Sequence, residues 1–391
     1  MRRRALARAL AVVAFVVTLA SRRRALVDVL ARGALGHRHR ARWTRDARAC
    51  EDVKRAVEGW DGIGDANAAC FALKGGGRRS RYGIARAGRR GMNHGYLDGA
   101  LKFLGDVVDA SDGWMDEGGG VMVFWVMEDD ATTPGRVVDA LRATGVIVLA
   151  HSVKTTSMRE NVILVPNFHF IKTEGFRGKL DALDAKTRAP LARRKPAVFW
   201  RGSTTGTIEC GASSEASCQS VGSDDPPGSD ACARLPRVKA AVAAESVPWL
   251  DVKVSRRVQA CARQSVPNAR AMGEHAPEAT WVEHKGILEI DGNVDAWGNR
   301  WRMESGSVVF IVKSNFEHYY TKRLVDGTHY VGVAADLSDL AEKTELVSRT
   351  DAASIRKMER IAENARALMR ELTYERVVAD VADRLRAAAS A

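Results

Sequence analysis

Short apolar runs that stop at polar turns constrain the fold of this 391-residue chain more than any other feature. The clearest run is VMVFWVM at residues 121–127, which three acidic residues follow directly. An apolar run of this length, without polar alternation, is typical of a strand that is buried on both faces of a parallel sheet. Similar runs lie at residues 145–150, 162–165, 197–200, 249–254, 286–290, 307–312 and 329–333. Because helical stretches separate many of these runs, the pattern predicts an α/β fold.

Helices are predicted in three other parts of the chain. From Ile355 to Leu372 apolar residues recur at spacings of three and four, which places them on one face of a helix. A second helix is expected to begin near Thr373, a suitable N-cap residue. Helical patterns also dominate residues 50–108, where a loop at residues 75–90 interrupts them. The charged, irregular residues 171–195 are interpreted as a connector between domains.

Composition divides the chain into four segments. Residues 1–24 place arginines on both sides of an apolar run, which predicts a signal peptide or signal anchor, and residues 25–48 form a basic stem. The strand runs then fall into two α/β halves of similar size, residues 49–190 and residues 191–391. We therefore expect two domains, with the helices at the end of the second one.

The formal net charge of +12 is concentrated in the first 48 residues. These residues contain 13 arginines and two acidic residues, a net charge of +11, so the other 343 residues carry about +1. A nucleic-acid-binding domain needs its basic residues on the folded surface. The charge distribution therefore argues against a nucleic-acid partner.

The leader also predicts the location of the protein. Its apolar run at residues 9–20 has the length of a signal-peptide core and is shorter than a full membrane span. We expect entry into the secretory pathway, and residence in the lumen of the Golgi or endoplasmic reticulum. Contact with the membrane would then be limited to this segment, if it is kept as a single-pass type II anchor. An arginine-rich organellar transit peptide is the alternative.

Six cysteines fit either an oxidising or a reducing compartment. Three of them, Cys210, Cys218 and Cys232, lie in one loop rich in Gly, Ser, Asp and Pro, which a disulfide would order. The alternative is that all six are free thiols in a reducing environment. No cysteine pair has CxxC spacing, and none lies beside a histidine at metal-ligand spacing, so we expect no metal site.

Polar residues follow the strand predicted at residues 197–200. Arg201 and Ser203 stand among two glycines and two threonines. An arginine fork suits a phosphate, and small residues let backbone N–H groups approach an anion at the carboxyl end of a strand. The motif predicts an anion site, although a turn with a structural arginine explains it equally well.

A longer motif at residues 284–310 brings several ligand-type residues into one segment. Its candidate binding residues are Asp291, Gly292, Asn293, Trp297, Arg300 and Ser307. A tryptophan can cover an apolar face while an arginine binds phosphates, so the segment can hold a nucleoside diphosphate. A simple turn beside a core tryptophan is the alternative.

Glu317 is the last candidate binding residue, and we expect it near the start of a helical stretch. There it could accept hydrogen bonds from the hydroxyl groups of a ribose. A solvated glutamate that the helix dipole favours is the alternative.

The order of these motifs resembles the pattern of the CAP10-like glycosyltransferase family 90. The motifs are WRGSTTG, HKGILEIDGN, WGNRW, SGSVV, FEHYY, HYV and DLSDL, in that order along the chain. The resemblance implies a GT-B fold, in which two Rossmann-like domains face each other across a cleft. It also implies an inverting reaction with no metal or other cofactor, in which a UDP-sugar is the donor.

The resemblance assigns roles to individual residues. It makes Arg201 and Ser203 contacts of the donor and Arg300 a ligand of its diphosphate. The family pattern has a further arginine after the WRGS-like motif. Here a long insert follows that motif, and both Arg234 and Arg237, which come after the insert, match that arginine.

The catalytic base that the resemblance implies is Asp130, since the family has an aspartate after an apolar strand at this point. An inverting displacement needs one carboxylate to take the proton of the acceptor hydroxyl. Asp129 is the rival, and we prefer Asp130 because side chains alternate along an extended chain. The sequence as a whole predicts transfer of glucose or xylose from a UDP-sugar to a protein or glycan hydroxyl. The alternative is a relative that binds a glycan or nucleotide sugar without catalysis.

Overall fold

The fold is seen in a computed structural model. It describes residues 43–56, 68–75, 80–86, 93–111, 113–117, 120–127, 135–154, 162–187, 189–206, 231–262, 266 and 269–390. These residues form a mixed α/β structure that contains two large sheets and ends in helices. The predicted leader, the greater part of the stem, and the rival carboxylates Asp129 and Asp130 lie outside the described residues.

The described strands carry the labels β1 to β13. They are β1 (Trp43–Arg45), β2 (Ala68–Leu73), β3 (Ser80–Arg86), β4 (Val121–Val126), β5 (Ile147–Ala150), β6 (Ser152–Lys154), β7 (Val162–Leu164), β8 (Lys195–Ser203), β9 (Leu250–Arg256), β10 (His284–Glu289), β11 (Val308–Val312), β12 (Phe316–His318) and β13 (Val331–Val333).

The described α-helices carry the labels α1 to α13. They are α1 (Glu51–Ala56), α2 (His94–Asp109), α3 (Trp114–Glu117), α4 (Gly135–Ala143), α5 (Phe168–Lys172), α6 (Arg177–Thr187), α7 (Ala231–Arg234), α8 (Pro236–Ala243), α9 (Glu278–Trp281), α10 (Asn299–Glu304), α11 (Leu340–Thr344), α12 (Ala352–Glu371) and α13 (Tyr374–Ser390). Short 3₁₀ helices lie at Ala47–Cys50, Leu191–Arg193, Ala244–Ser246, Gln259–Ala262, Ala269–Ala271, Thr321–Arg323 and Glu345–Ser348. None of the helices in the described ranges is both long and apolar enough to cross a bilayer.

The N-terminal sheet has the strand order β1-β3-β2-β4-β5-β7. Strands β4, β5 and β7 run parallel, as their apolar runs predict, whereas β2 is antiparallel to both of its neighbours. The prediction of helix was wrong for β2 and right for α2, and the loop predicted at residues 75–90 contains β3. The sequence of β2, AACFAL, is rich in alanine, the best helix former, yet every residue in it is buried between neighbouring strands.

The C-terminal sheet has the strand order β13-β11-β10-β8-β9, and all of its pairs are parallel. In chain order this is a 2-1-3-4-5 arrangement, so β8 and β10 are neighbours although β9 lies between them in sequence. Ligands bind in α/β sheets at the point where the strand order reverses, outside the carboxyl ends of the strands. The topology therefore predicts a ligand site at the carboxyl ends of β8 and β10.

Two further local predictions were wrong. Residues 171–195, expected to be irregular, contain helix α6, in which Leu183 is buried and Leu180 is partly buried. Glu317 was expected near a helix start and instead lies in β12, which pairs with β6 of the N-terminal half. Pairing with a distant strand cannot be read from a three-residue segment.

The predicted C-terminal helices are confirmed. Helix α12 buries Met358, Ile361 and Ala365 along one face, and the Thr373 hydroxyl accepts a hydrogen bond from Arg376 N at 3.3 Å, as a cap should. The last helix also packs against α2, where the Tyr374 hydroxyl donates to Asp106 at 2.7 Å. One apolar core therefore includes residues from both halves of the chain.

Two disulfides join described segments. Cys50 pairs with Cys70, and Cys232 pairs with Cys261. Cys232 therefore bonds to a residue beyond the loop that the sequence suggested, because the start of α7 lies beside the turn at Gln259–Ala262.

Candidate functional site

The carboxyl ends of β8 and β10 are held together by one arginine. The Arg237 guanidinium donates to Ser203 O at 3.2 Å, to Asp291 O at 3.0 Å and to Ile290 O at 3.0 Å. It also donates to the hydroxyl of Thr205. Burial lowers the pKa of Arg237 to about 10, so the side chain stays charged at neutral pH. Arg237 thus fixes the geometry at the point where the strand order of the C-terminal sheet reverses, which we call the switch point.

Gly292 lets the two strand ends approach each other closely. A β-carbon at this position would lie 3.0 Å from the Thr205 hydroxyl and 3.2 Å from a nitrogen of Arg237. Its N–H also donates to Asp295 O at 2.8 Å, which closes a tight turn after β10. Small residues at this edge leave little side-chain bulk over the backbone, which is the condition for an anion to approach its N–H groups.

Asp291 belongs to a polar cluster beside this turn. Its Oδ2 accepts a hydrogen bond from Ser314 at 2.6 Å and lies 3.3 Å from His318 Nε2. Burial on its own lowers the pKa of His318, but the neighbouring carboxylates, first among them Asp291, outweigh burial and raise it above its ordinary value. The cluster therefore places the His318 ring beside the Asp291 carboxylate, which favours the protonated form of the ring.

A second carboxylate, Asp295, connects this cluster to the N-terminal half. Asn167 Nδ2 donates to Asp295 Oδ2 at 2.9 Å, while Asn167 Oδ1 caps α5 by accepting from Phe170 N at 3.0 Å. Asp295 is 8% exposed, and burial raises its pKa despite the nearby His318. The two halves thus meet through a buried hydrogen bond at the carboxyl edge of the C-terminal sheet.

His151 faces the same junction from the end of β5. Its Nδ1 donates to Pro166 O at 3.0 Å, and its ring packs edge-on against Phe168 with centroids 4.5 Å apart. Burial lowers the pKa of His151 to about 4, so the ring is neutral at pH 7. Because Nδ1 carries the proton, Nε2 is left as a hydrogen-bond acceptor.

These residues line a cavity between the two halves. The cavity measures about 10 Å³, close to the volume that one water molecule requires. His151 and Asn167 contribute from the N-terminal half, and Asp295, His318 and Tyr320 from the C-terminal half. We call it the junction cavity.

The predicted site residues are only partly brought together. Ser203, Asp291 and Gly292 meet around Arg237, and Asn293 follows in the same turn with a buried Oδ1 that has no partner among the described residues. Trp297 is 40% exposed, and its ring stacks on His169 with ring centroids 5.8 Å apart.

The two predicted arginine ligands are engaged elsewhere. Arg201 Nη2 lies 2.7 Å from Asp251 Oδ1, and its guanidinium stacks over Phe199 at 4.4 Å, so it folds back along the sheet. Arg300 is buried in α10 and forms an ion pair with Glu304.

Two other predicted residues lie apart from this edge. Ser307 directly precedes β11 at the opposite edge of the sheet, where its hydroxyl donates to His284 O and accepts from Arg194, both at 2.8 Å. Glu317 forms an ion pair with Lys322 at 3.1 Å.

The predicted base, Asp130, lies outside the described residues. Strand β4 ends at Val126, and Met127 after it is buried.

The sequence did not single out several residues of this site. His151, Asn167, Asp295 and His318 were missed, although the first three follow ends of predicted strand runs, which was the signal available. The sequence leaves Arg234 and Arg237 as alternatives; in the structure Arg237 joins the strand ends, whereas Arg234 is exposed. Among the described residues, no group of three or more His, Cys, Asp or Glu side chains is arranged to hold a metal ion. The absence of a metal requirement stays a prediction.

Comparison with known proteins gives one family match. No curated protein matches the chain. The protein-family model described as glycosyl transferase family 90 matches residues 244–385, which include the turn after β10, Arg300 and Glu317, whereas Ser203 and Arg237 precede the match. The C-terminal part of the chain is thus similar to glycosyl transferase family 90, and this similarity indicates a function in glycosyl transfer.

Proposed function

We propose that the protein is an inverting, metal-independent glycosyltransferase that moves glucose or xylose from a UDP-sugar to a hydroxyl group of a protein or glycan. The observation that carries this proposal is the family match over residues 244–385, which contains the carboxyl end of β10 at the switch point of a parallel sheet. Switch points bind nucleotides in α/β folds. The match and the topology therefore point to the same edge.

The donor would bind along this edge. Backbone N–H groups after β8 and β10 would contact the diphosphate, with Ser203 on one side and residues 291–293 on the other. The exposed ring of Trp297 would cover the uracil or the ribose. Arg201 and Arg300 would reach the phosphates only if they exchanged their present carboxylate partners for the ligand, and Ser307 is left out of the proposed site.

The base would come from the opposite half. Asp130 would accept the proton of the acceptor hydroxyl as its oxygen bonds to the anomeric carbon, while UDP leaves with the electrons of the broken C–O bond. Support comes from β4 and β5, which are parallel neighbours with Trp125 opposite Leu149. Strand β4 therefore ends at the sheet edge that carries His151.

Residues 49–190 and 191–391 would be the two Rossmann-like domains of a GT-B fold. The two disulfides support residence in the secretory pathway, because such bonds persist in oxidising compartments.

A non-catalytic relative that binds nucleotide sugars or glycans is the second candidate. The observation that favours it is that Arg201 and Arg300 are both already paired with carboxylates. A diphosphate would have to displace those partners.

A UDP-release assay on the full chain separates the two candidates. We expect slow release of UDP from UDP-glucose or UDP-xylose by the wild type. Asp130→Asn should lower this rate by a factor of about 100 or more, since it removes the general base, while leaving UDP affinity unchanged. Asp129→Asn is the matched control and should retain the rate.

Binding of UDP without release from either donor would favour the second candidate. Equal loss of rate in both variants would contradict the assignment of Asp130.

A further inference from the structure

Five buried polar atoms that line the junction cavity have no hydrogen-bond partner within the described part of the chain. They are His151 Nε2, Asp295 Oδ1, the Tyr320 hydroxyl, Asn299 Oδ1 and His318 Nδ1. Three of the five belong to residues that are themselves buried, since His151, Asp295 and Tyr320 are 4%, 8% and 4% exposed. An unpaired buried polar group costs about 1–3 kcal/mol, so several around one small space indicate that a ligand group completes hydrogen bonds there.

The chemistry of the three atoms defines what can bind. Asp295 Oδ1 is an acceptor, and His151 Nε2 is an acceptor because Nδ1 donates to Pro166 O. The Tyr320 hydroxyl can donate. A group bound there must therefore be able both to donate and to accept a hydrogen bond within a space of about 10 Å³. A hydroxyl group can donate to one of the two acceptors and accept from the Tyr320 hydroxyl, whereas a phosphate is too large for this space.

The location of the cavity relates it to the donor. Asp291, which lines the cavity, follows β10 directly, and its backbone oxygen accepts from Arg237 at the switch point. On the other side, the cavity reaches His151 at the end of β5, beside the strand that leads to the predicted base. A sugar attached to a diphosphate at the switch point would lie between these two strand ends.

We propose that the junction cavity receives one hydroxyl group of the sugar that is transferred. This inference rests on the proposed function. The sugar hydroxyl donates to Asp295 Oδ1 or His151 Nε2 and accepts from the Tyr320 hydroxyl. Because both halves of the chain contribute to the cavity, the bound sugar also stabilises their contact at the Asn167–Asp295 hydrogen bond.

Tyr320→Phe is the cleanest test, because the hydroxyl it removes has no partner in the described structure. We expect isothermal titration to show an affinity for the sugar nucleotide about 10-fold below that of the wild type, the loss typical of one buried hydrogen bond. The affinity for UDP and the melting temperature should be unchanged. UDP-glucose and UDP-xylose would both be measured, and the tighter ligand used.

Tyr374→Phe is the matched control, since its hydroxyl donates to Asp106 at 2.7 Å, away from the cavity. It should lower the melting temperature and leave both affinities unchanged. Monodeoxy analogues of the donor then identify the hydroxyl. One analogue should bind the wild type about 10-fold more weakly, and Tyr320→Phe should no longer discriminate against it.

Three results would overturn the inference, and they differ from one another. If Tyr320→Phe binds the sugar nucleotide as the wild type does, the cavity holds a water molecule only. If UDP and the sugar nucleotide bind the wild type equally, the sugar makes no contact there. If the wild type binds neither ligand, the proposed function fails together with the inference.

Discussion

The two edges of the C-terminal sheet are built alike but differ in the polar groups they leave unpaired. At each edge an arginine joins strand ends: the buried Arg194 at the amino edge contacts residues just before β11, and the partly buried Arg237 at the carboxyl edge joins the ends of β8 and β10. Arg194 donates to Ser305 O at 3.2 Å and to the Ser307 hydroxyl at 2.8 Å. Burial lowers the pKa of both arginines to about 10. An arginine between strand ends is therefore not in itself a sign of a binding site.

The difference lies in the groups around each arginine. At the amino edge, Ser307 both donates and accepts, and Ser305 and Ser307 are fully buried. Beside the carboxyl edge, buried polar atoms of Asn293, Asp295 and His318 have no partner among the described residues. The comparison teaches that incomplete hydrogen bonding, more than residue type, separates a site from a structural contact.

Replacing each arginine by lysine is expected to give the largest effect that tests this comparison. Lysine keeps the charge but loses the planar fork, so Arg194→Lys and Arg237→Lys should each lower the free energy of unfolding by about 3 kcal/mol. Urea denaturation would measure this loss. Only Arg237→Lys should also weaken UDP binding, by about 10-fold in a titration at a temperature where both variants are folded. Equal UDP affinities in the two variants would contradict a site at the carboxyl edge.

The histidine that faces the carboxyl edge predicts a smaller effect, one that depends on pH. His151 has a folded-state pKa of about 4, below the ordinary value of about 6.5. Between these values the unfolded chain binds a proton that the folded protein does not, so stability is lost as pH falls from 6.5 towards 4. From pH 7 to pH 5 His151 should lower the free energy of unfolding by roughly 2 kcal/mol.

Urea denaturation at pH 7 and pH 5 measures this change. His318, whose pKa is raised, acts in the opposite direction, so the comparison must be made between variants. His151→Phe should reduce the loss on acidification by roughly 2 kcal/mol. His275→Phe, at an exposed position, should not. An identical pH dependence in wild type and His151→Phe would show that folding does not shift the pKa of this ring.

Two serines provide the smallest test. Ser307→Ala should lower the free energy of unfolding by about 1 kcal/mol or more, because it removes a buried hydroxyl with two partners, and should leave UDP affinity unchanged. Ser203→Ala should change stability by less than about 0.5 kcal/mol and weaken UDP binding by a few-fold. Thermal unfolding and titration on the same samples would measure both. The reverse pattern would move the site to the amino edge.

Much of the C-terminal sheet could be predicted from the sequence, because strands buried on both faces have continuous apolar runs. The hairpin of β2 and β3 could not, since alanine favours helix and only pairing with β4 makes the segment a strand. The three-residue strand β12 depends in the same way on a distant partner, β6. Local sequence patterns cannot predict the structure of segments that depend on distant partners.

Among the residues that the sequence singled out, those that follow a strand lie where they were expected, and Arg201, which lies within a strand, does not. Residues 291–293 come directly after β10 and lie at the carboxyl edge as expected. Strand β8 continues to Ser203, three residues beyond the predicted end, so Arg201 lies inside the strand and its side chain leaves the sheet sideways. Ser307 was predicted to bind the ligand from the order of the motifs along the chain. That order does not show at which edge of the sheet Ser307 lies.

A crystal structure of the protein with UDP tests the central claim most directly. We predict density for the diphosphate at the carboxyl ends of β8 and β10, within hydrogen-bond distance of the backbone at Ser203 or at residues 291–293. The Arg237 contacts to Ser203 O and Asp291 O should remain in place. UDP bound at any other surface, or no UDP at a concentration that saturates the protein in solution, would contradict the account.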